Sequence, residues 1–160
     1  MWEIISSIAA ALGTIAAAVS LVFAVRTQKK SVDRERRQAT IEAYARLQEE
    51  VLDKLADIKP AEAKSAAENC FETEEERKIY HGYKVLIARL EHFAVGIAED
   101  TYDFHTFCLL GGVHVKYLYE KVEPIIMEAR NHTGDGSVPY AAFEKLYQRL
   151  KKELNSASDR

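Results

Sequence analysis

The chain has 160 residues and a formal net charge of −3 at neutral pH. The charge is uneven, because residues 26–37 carry a balance of +4 and residues 38–160 carry −6. The acidic body argues against nucleic-acid binding, which requires a basic surface. Two cysteines, Cys70 and Cys108, without a CxxC pair favour a reducing compartment and no disulfide framework.

The first predicted element is a run from Ile4 to Val25 that contains no charged side chain. As a helix, its 22 residues reach about the 30 Å of a bilayer's hydrocarbon core. Positive charge follows the run, whereas a secretory signal peptide carries it before a shorter apolar core. We therefore expect an uncleaved transmembrane anchor and basic stop at residues 1–30, in the lipid bilayer of the bacterial inner membrane. The positive-inside rule places the amino terminus outside and the carboxyl-terminal domain in the cytoplasm.

Both ends of this run carry residues suited to a membrane interface. Trp2 is expected at the outer interface, where its amphipathic ring is favoured. A block of membrane-flanking basic residues follows the run: Arg26, Lys29, Lys30, Arg34, Arg36 and Arg37. Such a block attracts anionic lipid at about 1 kcal/mol per charge, but determination of topology explains it equally well.

Small residues occupy one face of the predicted anchor when successive residues are placed about 100° apart. The transmembrane association face consists of Ser6, Ala9, Gly13, Ala17, Ser20 and Ala24. Small side chains let helix backbones approach closely, which drives association in lipid, so we predict a homo-oligomer. The alternative is that an Ala-rich span simply contains many small residues. The run holds no ionisable side chain that would mark a permeation path, so a packing interface is favoured over a pore.

From Ser31 onward the apolar spacing is helical, through Ile41, Tyr44, Val51 or Leu52, Leu55 and Ile58. Nothing before Lys59 forces a break, so we expect the anchor to continue into this helix. Pro60 is predicted to end it, because proline cannot donate to the helical ladder. Residues 61–71 are expected to form a polar connector.

Two well-marked helices follow. Thr73 and Glu76 form a capping box that begins a helix extending to about Glu99. Asp103 is predicted to cap the next helix. Within that helix the pair at residues 111–112 is expected to mark a close helix crossing, since each glycine costs about 1 kcal/mol against alanine.

Pro124 is expected to kink or restart this helix, which continues to Arg130. Residues 131–137 read as a loop, and Pro139 suits the first position of the final helix. The predicted fold is all-α, a single amino-terminal transmembrane helix followed by a cytoplasmic bundle of four or five helices. The bundle occupies residues 31–155, and residues 156–160 form a frayed tail.

Candidate catalytic and metal-binding residues are sparse. His105, Cys108 and His114 have helical spacing, but a structural zinc site requires four ligands in recognisable pairs, so we predict no metal and no cofactor. Glu91 and the arginines 89 and 130 are predicted to form a polar network that binds helices together. Glycine-rich phosphate loops, GxSxG and HExxH are missing from the sequence, so we predict that the protein is not an enzyme.

Several segments resemble a bacterial family of short, amino-terminally anchored helical proteins that is catalogued only as a domain of unknown function. The resemblance is carried by Ala39-Thr40 with Tyr44, and by residues 90–98, 111–112, 117–130 and 140–146. It covers nearly the whole chain and implies a single-pass protein with a helical domain facing the cytoplasm. It implies no reaction and supplies no catalytic residues.

The predicted function is that of a cytoplasmic interaction or sensing domain on a membrane anchor that associates with itself, with a cytoplasmic protein as a possible partner. The alternative is a membrane-disrupting or pore-forming effector of a bacterial defence system of the anti-phage type. That alternative rests only on the similar architecture of some small membrane-anchored proteins that act in such systems.

Overall fold

The computed structural model describes the backbone of residues 2–70, 72–133 and 138–158, and within these ranges the side chains of residues 20–156. All regular secondary structure in these ranges is helical, which confirms the predicted all-α class. The chain divides into two compact units, residues 1–36 and residues 37–160.

The first helix, α1, extends without interruption over Trp2–Leu47. This confirms the expectation that the amino-terminal helix continues into the first helix of the bundle. Among the residues that the structure describes with side chains, no helix is both long enough and apolar enough to cross a membrane.

A π-helical turn at Gln48–Leu52 follows α1 and leads into the short helix α2, Asp53–Ala56. The backbone N–H of Asp53 donates to the carbonyl oxygen of Gln48, which closes the wider turn. The sequence left open whether Val51 or Leu52 faces the core, and both are fully buried. In a regular helix these neighbours point about 100° apart, so the extra residue of the π turn allows both to enter the core.

The preceding helical segment ends at Ala56, before Pro60 as predicted, and Pro60 itself begins helix α3, Pro60–Glu68, which makes up most of the polar connector whose structure the sequence left open. The backbone N–H of Lys59 donates to Glu62 Oε2 at 3.3 Å. Proline fits the first helical position because the N–H it lacks would have no helical partner there. The buried face of α3 consists of small side chains, Ala63, Ala66 and Ala67, and packs against α5.

Helices α4, Glu74–Ala98, and α5, Phe104–Asn131, begin at the predicted caps. Thr73 Oγ1 accepts a hydrogen bond from the Glu76 backbone N–H at 3.2 Å and donates to Glu76 Oε2 at 2.7 Å. Asp103 Oδ1 accepts from the Thr106 backbone N–H at 2.8 Å. The side-chain oxygens thus satisfy backbone donors that have no partner within each helix.

The kink in α5 lies at Gly111 rather than at Pro124, which corrects the prediction. Gly111 has φ −168° and ψ 18°, whereas Pro124 lies inside the continuing helix. The predicted close crossing at the glycine pair is confirmed. A Cβ atom at Gly111 would overlap the ring and hydroxyl of Tyr44, and one at Gly112 would lie 2.9 Å from Leu150. Side chains at the glycine pair would therefore displace the Tyr44 ring of α1 and the Leu150 side chain of α6.

The final helix, α6, covers Ala141–Ser158, so Pro139 precedes the helix rather than occupying its first position. Tyr140, with φ 61°, lies between them in the left-handed region. Helix α6 packs against α4 and α5 and contributes Phe143 and Leu150 to the core. The predicted helical bundle is therefore present within residues 37–160.

Candidate functional site

The structure describes only part of the predicted association face. The side chains of Trp2, Ser6, Ala9, Gly13 and Ala17 lie outside the described residues. Ser20 and Ala24 lie on α1 and are exposed. The association of these helices therefore stays a prediction.

The end of the apolar run exposes apolar side chains all round α1. The exposed fractions are 66% for Leu21, 51% for Val22, 65% for Phe23 and 57% for Val25. At about 100° per residue these four positions leave one side of the helix, which the exposed Ala24 occupies. A helix that is apolar all round is typical of a segment surrounded by lipid or protein rather than by water.

The basic block lies directly after this apolar segment on the same helix. Arg26, Lys29, Lys30, Arg34 and Arg37 are exposed, and Arg36 is half-buried. Exposed cations at the end of an apolar helix can meet anionic groups at a membrane surface.

A groove of about 460 Å³ lies within residues 37–160, where the end of α1, the π turn and α4 meet. Its rim carries charged and polar side chains, and its floor is apolar and aromatic. We call it the arginine groove. Its principal residues are Arg46, Glu50, Arg89, His92, Phe93 and Tyr102.

The rim of the arginine groove has an excess of cations. Arg89 of α4 forms an ion pair with Glu50 of the π turn. Arg46 and His92 are exposed on the same rim, and in the described part of the chain no carboxylate pairs with Arg46. Two guanidinium groups thus share the groove with one carboxylate.

The floor of the arginine groove is an aromatic pair. The rings of Phe93 and Tyr102 stack with their centroids 5.1 Å apart and their planes 18° apart. The Tyr102 backbone N–H donates to the carbonyl oxygen of Gly96 at 3.0 Å. A Cβ atom at Gly96 would overlap the Tyr102 ring, so the glycine allows this ring to lie against α4.

The three residues predicted to form a polar network each join separate elements, but they do so through separate contacts rather than as one network. Glu91 of α4 accepts from the backbone N–H groups of Ala142 at 3.0 Å and Phe143 at 2.7 Å. It therefore caps α6 from another helix. Arg130 donates to the Pro139 carbonyl oxygen at 3.1 Å and to Glu144 Oε2 at 2.9 Å. Arg89 instead joins α4 to the π turn.

The histidine and cysteine positions on α5 do not form a ligand cluster. His105 and His114 are exposed and Cys108 is half-buried. Burial, and next the charge of Glu153, raise the pKa of Cys108 to about 11, which disfavours the thiolate that binds metals. Over the described residues, no group of three or more His, Cys, Asp or Glu side chains is placed to hold a metal ion.

A second groove, of about 500 Å³, lies between α3 and α4. It is lined by apolar side chains that include Ala66, Ile79 and Tyr83. Its two carboxylates, Glu62 and Glu76, already accept hydrogen bonds at the starts of α3 and α4. Both carboxylates of this groove thus take part in the starts of helices.

Sequence reasoning identified Arg89 but missed the groove that contains it. Arg46 and Glu50 are neighbours on continuous helical backbone, but their proximity to Arg89 and Tyr102 depends on how distant segments pack. The one available signal was the pair of adjacent apolar positions, Val51 and Leu52, which marks the π turn. Such turns occur frequently at functional sites.

The fold and these sites define an all-α helical-bundle protein. A family model described as a domain of unknown function (DUF4760) matches residues 7–150. The protein therefore belongs to this family, which confirms the resemblance seen in the sequence. Neither the curated proteins nor the solved structures include a match to the chain.

Proposed function

We propose that this protein is a single-pass protein of the bacterial inner membrane whose helical domain is an interaction or sensing module on the cytoplasmic side. In this proposal residues 1–30 form the anchor and its basic stop. The helical domain acts by binding rather than by catalysis.

The observation that carries the anchor proposal is the exposure of the five consecutive apolar residues 21–25 around α1. Exposed apolar surface costs about 25 cal/mol per Å² in water, and lipid removes that cost. These residues end the charge-free run from Ile4 to Val25, and the basic block follows at once. This order of apolar run and basic block supports a cytoplasmic helical domain.

The anchor proposal is tested by membrane fractionation of the full-length protein with an alkaline wash. We expect the protein to stay with the membranes. The double substitution Leu12→Arg and Ile15→Arg places two charges in the middle of the run, each costing about 3 kcal/mol. We expect this variant to move to the supernatant.

The matched control is Ile41→Arg, which introduces the same charge at an exposed position outside the run. We expect its fractionation to equal that of the natural sequence. Recovery of the unsubstituted protein in the supernatant would contradict the proposal. A topology assay that places the helical domain on the outer side of the membrane would contradict it as well.

Self-association through the small-residue face is the second part of the proposal. Ala9, Gly13 and Ala17 repeat at four-residue spacing, which supports close approach of two helices. Crosslinking of the full-length protein in membranes is expected to give oligomers, and Gly13→Leu should reduce them. Ile15→Leu, on the opposite face, is the control and should leave them unchanged. A protein that stays monomeric in membranes would refute this part.

A further inference from the structure

The arginine groove has the composition of a small-molecule site rather than of an ordinary surface cleft. Its volume of about 460 Å³ lies in the range of about 300–1,000 Å³ that such sites occupy. Its floor is apolar, because Leu47, Val51 and Phe93 are buried there. Only the rim is charged.

The rim suits an anion with several oxygen atoms. Arg46 and Arg89 belong to different elements and line the same groove, and His92 adds a third nitrogen-bearing side chain. Guanidinium groups bind phosphate oxygens through paired N–H donors, with better geometry than lysine. Glu50 forms an ion pair with Arg89, so an anion would replace one carboxylate as the partner of Arg89.

The floor suits a planar ring. Tyr102 is half-buried and stacks on Phe93, so the aromatic pair borders the groove with fixed geometry. Bases stack on such side chains without regard to their identity. A ligand that joins a phosphate to a planar base would therefore satisfy both the rim and the floor.

We propose that the arginine groove binds a nucleoside phosphate. Its phosphate replaces Glu50 as the partner of Arg89 and also contacts Arg46, and its base lies against the Phe93–Tyr102 pair. Binding separates Glu50 from Arg89, whereas the π turn itself stays held by its buried Val51 and Leu52. The inference concerns residues 37–160 and does not require that the apolar run enters a membrane.

The test is calorimetric titration of the full-length protein in detergent with AMP, GMP, CMP and UMP. We expect at least one of them to bind. Inorganic phosphate alone and the matching nucleoside alone should each bind at least about tenfold more weakly, because each satisfies only the rim or only the floor.

Three substitutions in the groove are expected to change nucleotide affinity, two by lowering it and one by raising it. Arg46→Gln and Arg89→Gln should each weaken binding by about tenfold or more, since each removes charged hydrogen bonds to the phosphate. Glu50→Gln should strengthen binding, because it removes the carboxylate that competes for Arg89. Arg46→Gln removes a side chain outside any ion pair of the described residues, so this variant is expected to fold normally.

Arg77→Gln is the matched control. Arg77 is an exposed arginine on the same helix, α4, and it also pairs with a glutamate, Glu74. Its loss should leave binding unchanged. The proposal is overturned if none of the four monophosphates binds, if Arg46→Gln and Arg89→Gln bind as tightly as Arg77→Gln, or if phosphate alone binds as well as the nucleotide. Membrane fractionation tests the anchor independently of each of these outcomes.

Discussion

The buried hydroxyl of Thr40 connects α1 with the start of α5. Thr40 is fully buried, and its Oγ1 accepts a hydrogen bond of 2.7 Å from the backbone N–H of Asp103. Asp103 in turn caps α5 with its side chain. The hydroxyl therefore satisfies a backbone donor that α5 itself cannot pair.

We expect Thr40→Val, which keeps the shape but removes the hydroxyl, to lower the free energy of unfolding by about 1–3 kcal/mol. The loss arises because the Asp103 N–H stays buried without this acceptor. Urea unfolding of the full-length protein measures the change. Thr101→Val, at an exposed position, is the control, and an equal loss in both variants would contradict the argument.

Substitution by alanine is expected to have opposite effects on stability at two glycines of α4. Gly96→Ala places a methyl group in the space of the Tyr102 ring, so we expect a loss of about 1–3 kcal/mol. Gly82→Ala meets no atom within 4 Å and should stabilise the helix by about 0.5–1 kcal/mol. Urea unfolding of both variants checks the signs. A loss of the same size at Gly82 would show that overlap with the Tyr102 ring is not the cause of the loss at Gly96.

At the level of elements, the start of α6 depends on a carboxylate from another helix. Glu91 is half-buried and accepts two backbone N–H groups, where the positive end of the helix dipole favours an anion. We expect Glu91→Gln to lower the free energy of unfolding by about 1–2 kcal/mol, because the amide offers only one acceptor oxygen and no charge.

Hydrogen exchange gives the local readout for this cap. We expect faster exchange at Ala142 and Phe143 in the Glu91→Gln variant. Glu123→Gln, an exposed position on α5, is the control and should change stability by less than about 0.5 kcal/mol. Unchanged exchange at the start of α6 would contradict the assigned cap.

Prolines show why element boundaries were only partly predictable. Pro60 and Pro139 are each compatible with the end of one helix and with the start of the next. At Pro60 the backbone bond from Lys59 to Glu62 favours the start of α3. At Pro139 its carbonyl is held by Arg130, and the helix begins only after Tyr140, whose hydroxyl donates to the Lys84 carbonyl at 3.4 Å. A local hydrogen bond therefore accompanies the boundary at Pro60, whereas a distant contact accompanies the boundary at Pro139.

At the scale of the whole molecule, a buried tyrosine predicts the response to alkaline pH. Burial is the main cause that raises the pKa of Tyr80 from 10.0 to about 12, and the neighbouring Cys70 and Glu128 contribute next. The ionised phenol is therefore less favourable in the folded state than in the unfolded state. Its contribution to stability is fully present below pH 10 and is lost as the pH rises towards 12.

Tyr80→Phe removes the titrating group, so we expect the fall in unfolding free energy between pH 10 and 12 to become shallower. Urea unfolding at a series of pH values measures this slope. Tyr117→Phe removes an exposed tyrosine and should keep the slope of the natural sequence. If the unfolding free energy of Tyr80→Phe falls as steeply with pH as that of the natural sequence, ionisation of the buried Tyr80 is not a cause of the loss of stability at alkaline pH.

The sequence by itself determined the helical class, the caps at Thr73 and Asp103, and the close crossing at residues 111–112. The helical class follows from the hydrophobic period, and the caps follow from residues three positions apart. The crossing follows from the missing side chains of two glycines. Tertiary structure alone decided the cap of α6 by Glu91 and the arginine groove. Each of these joins segments far apart in the chain, and their distances are set by packing of the core rather than by local spacing.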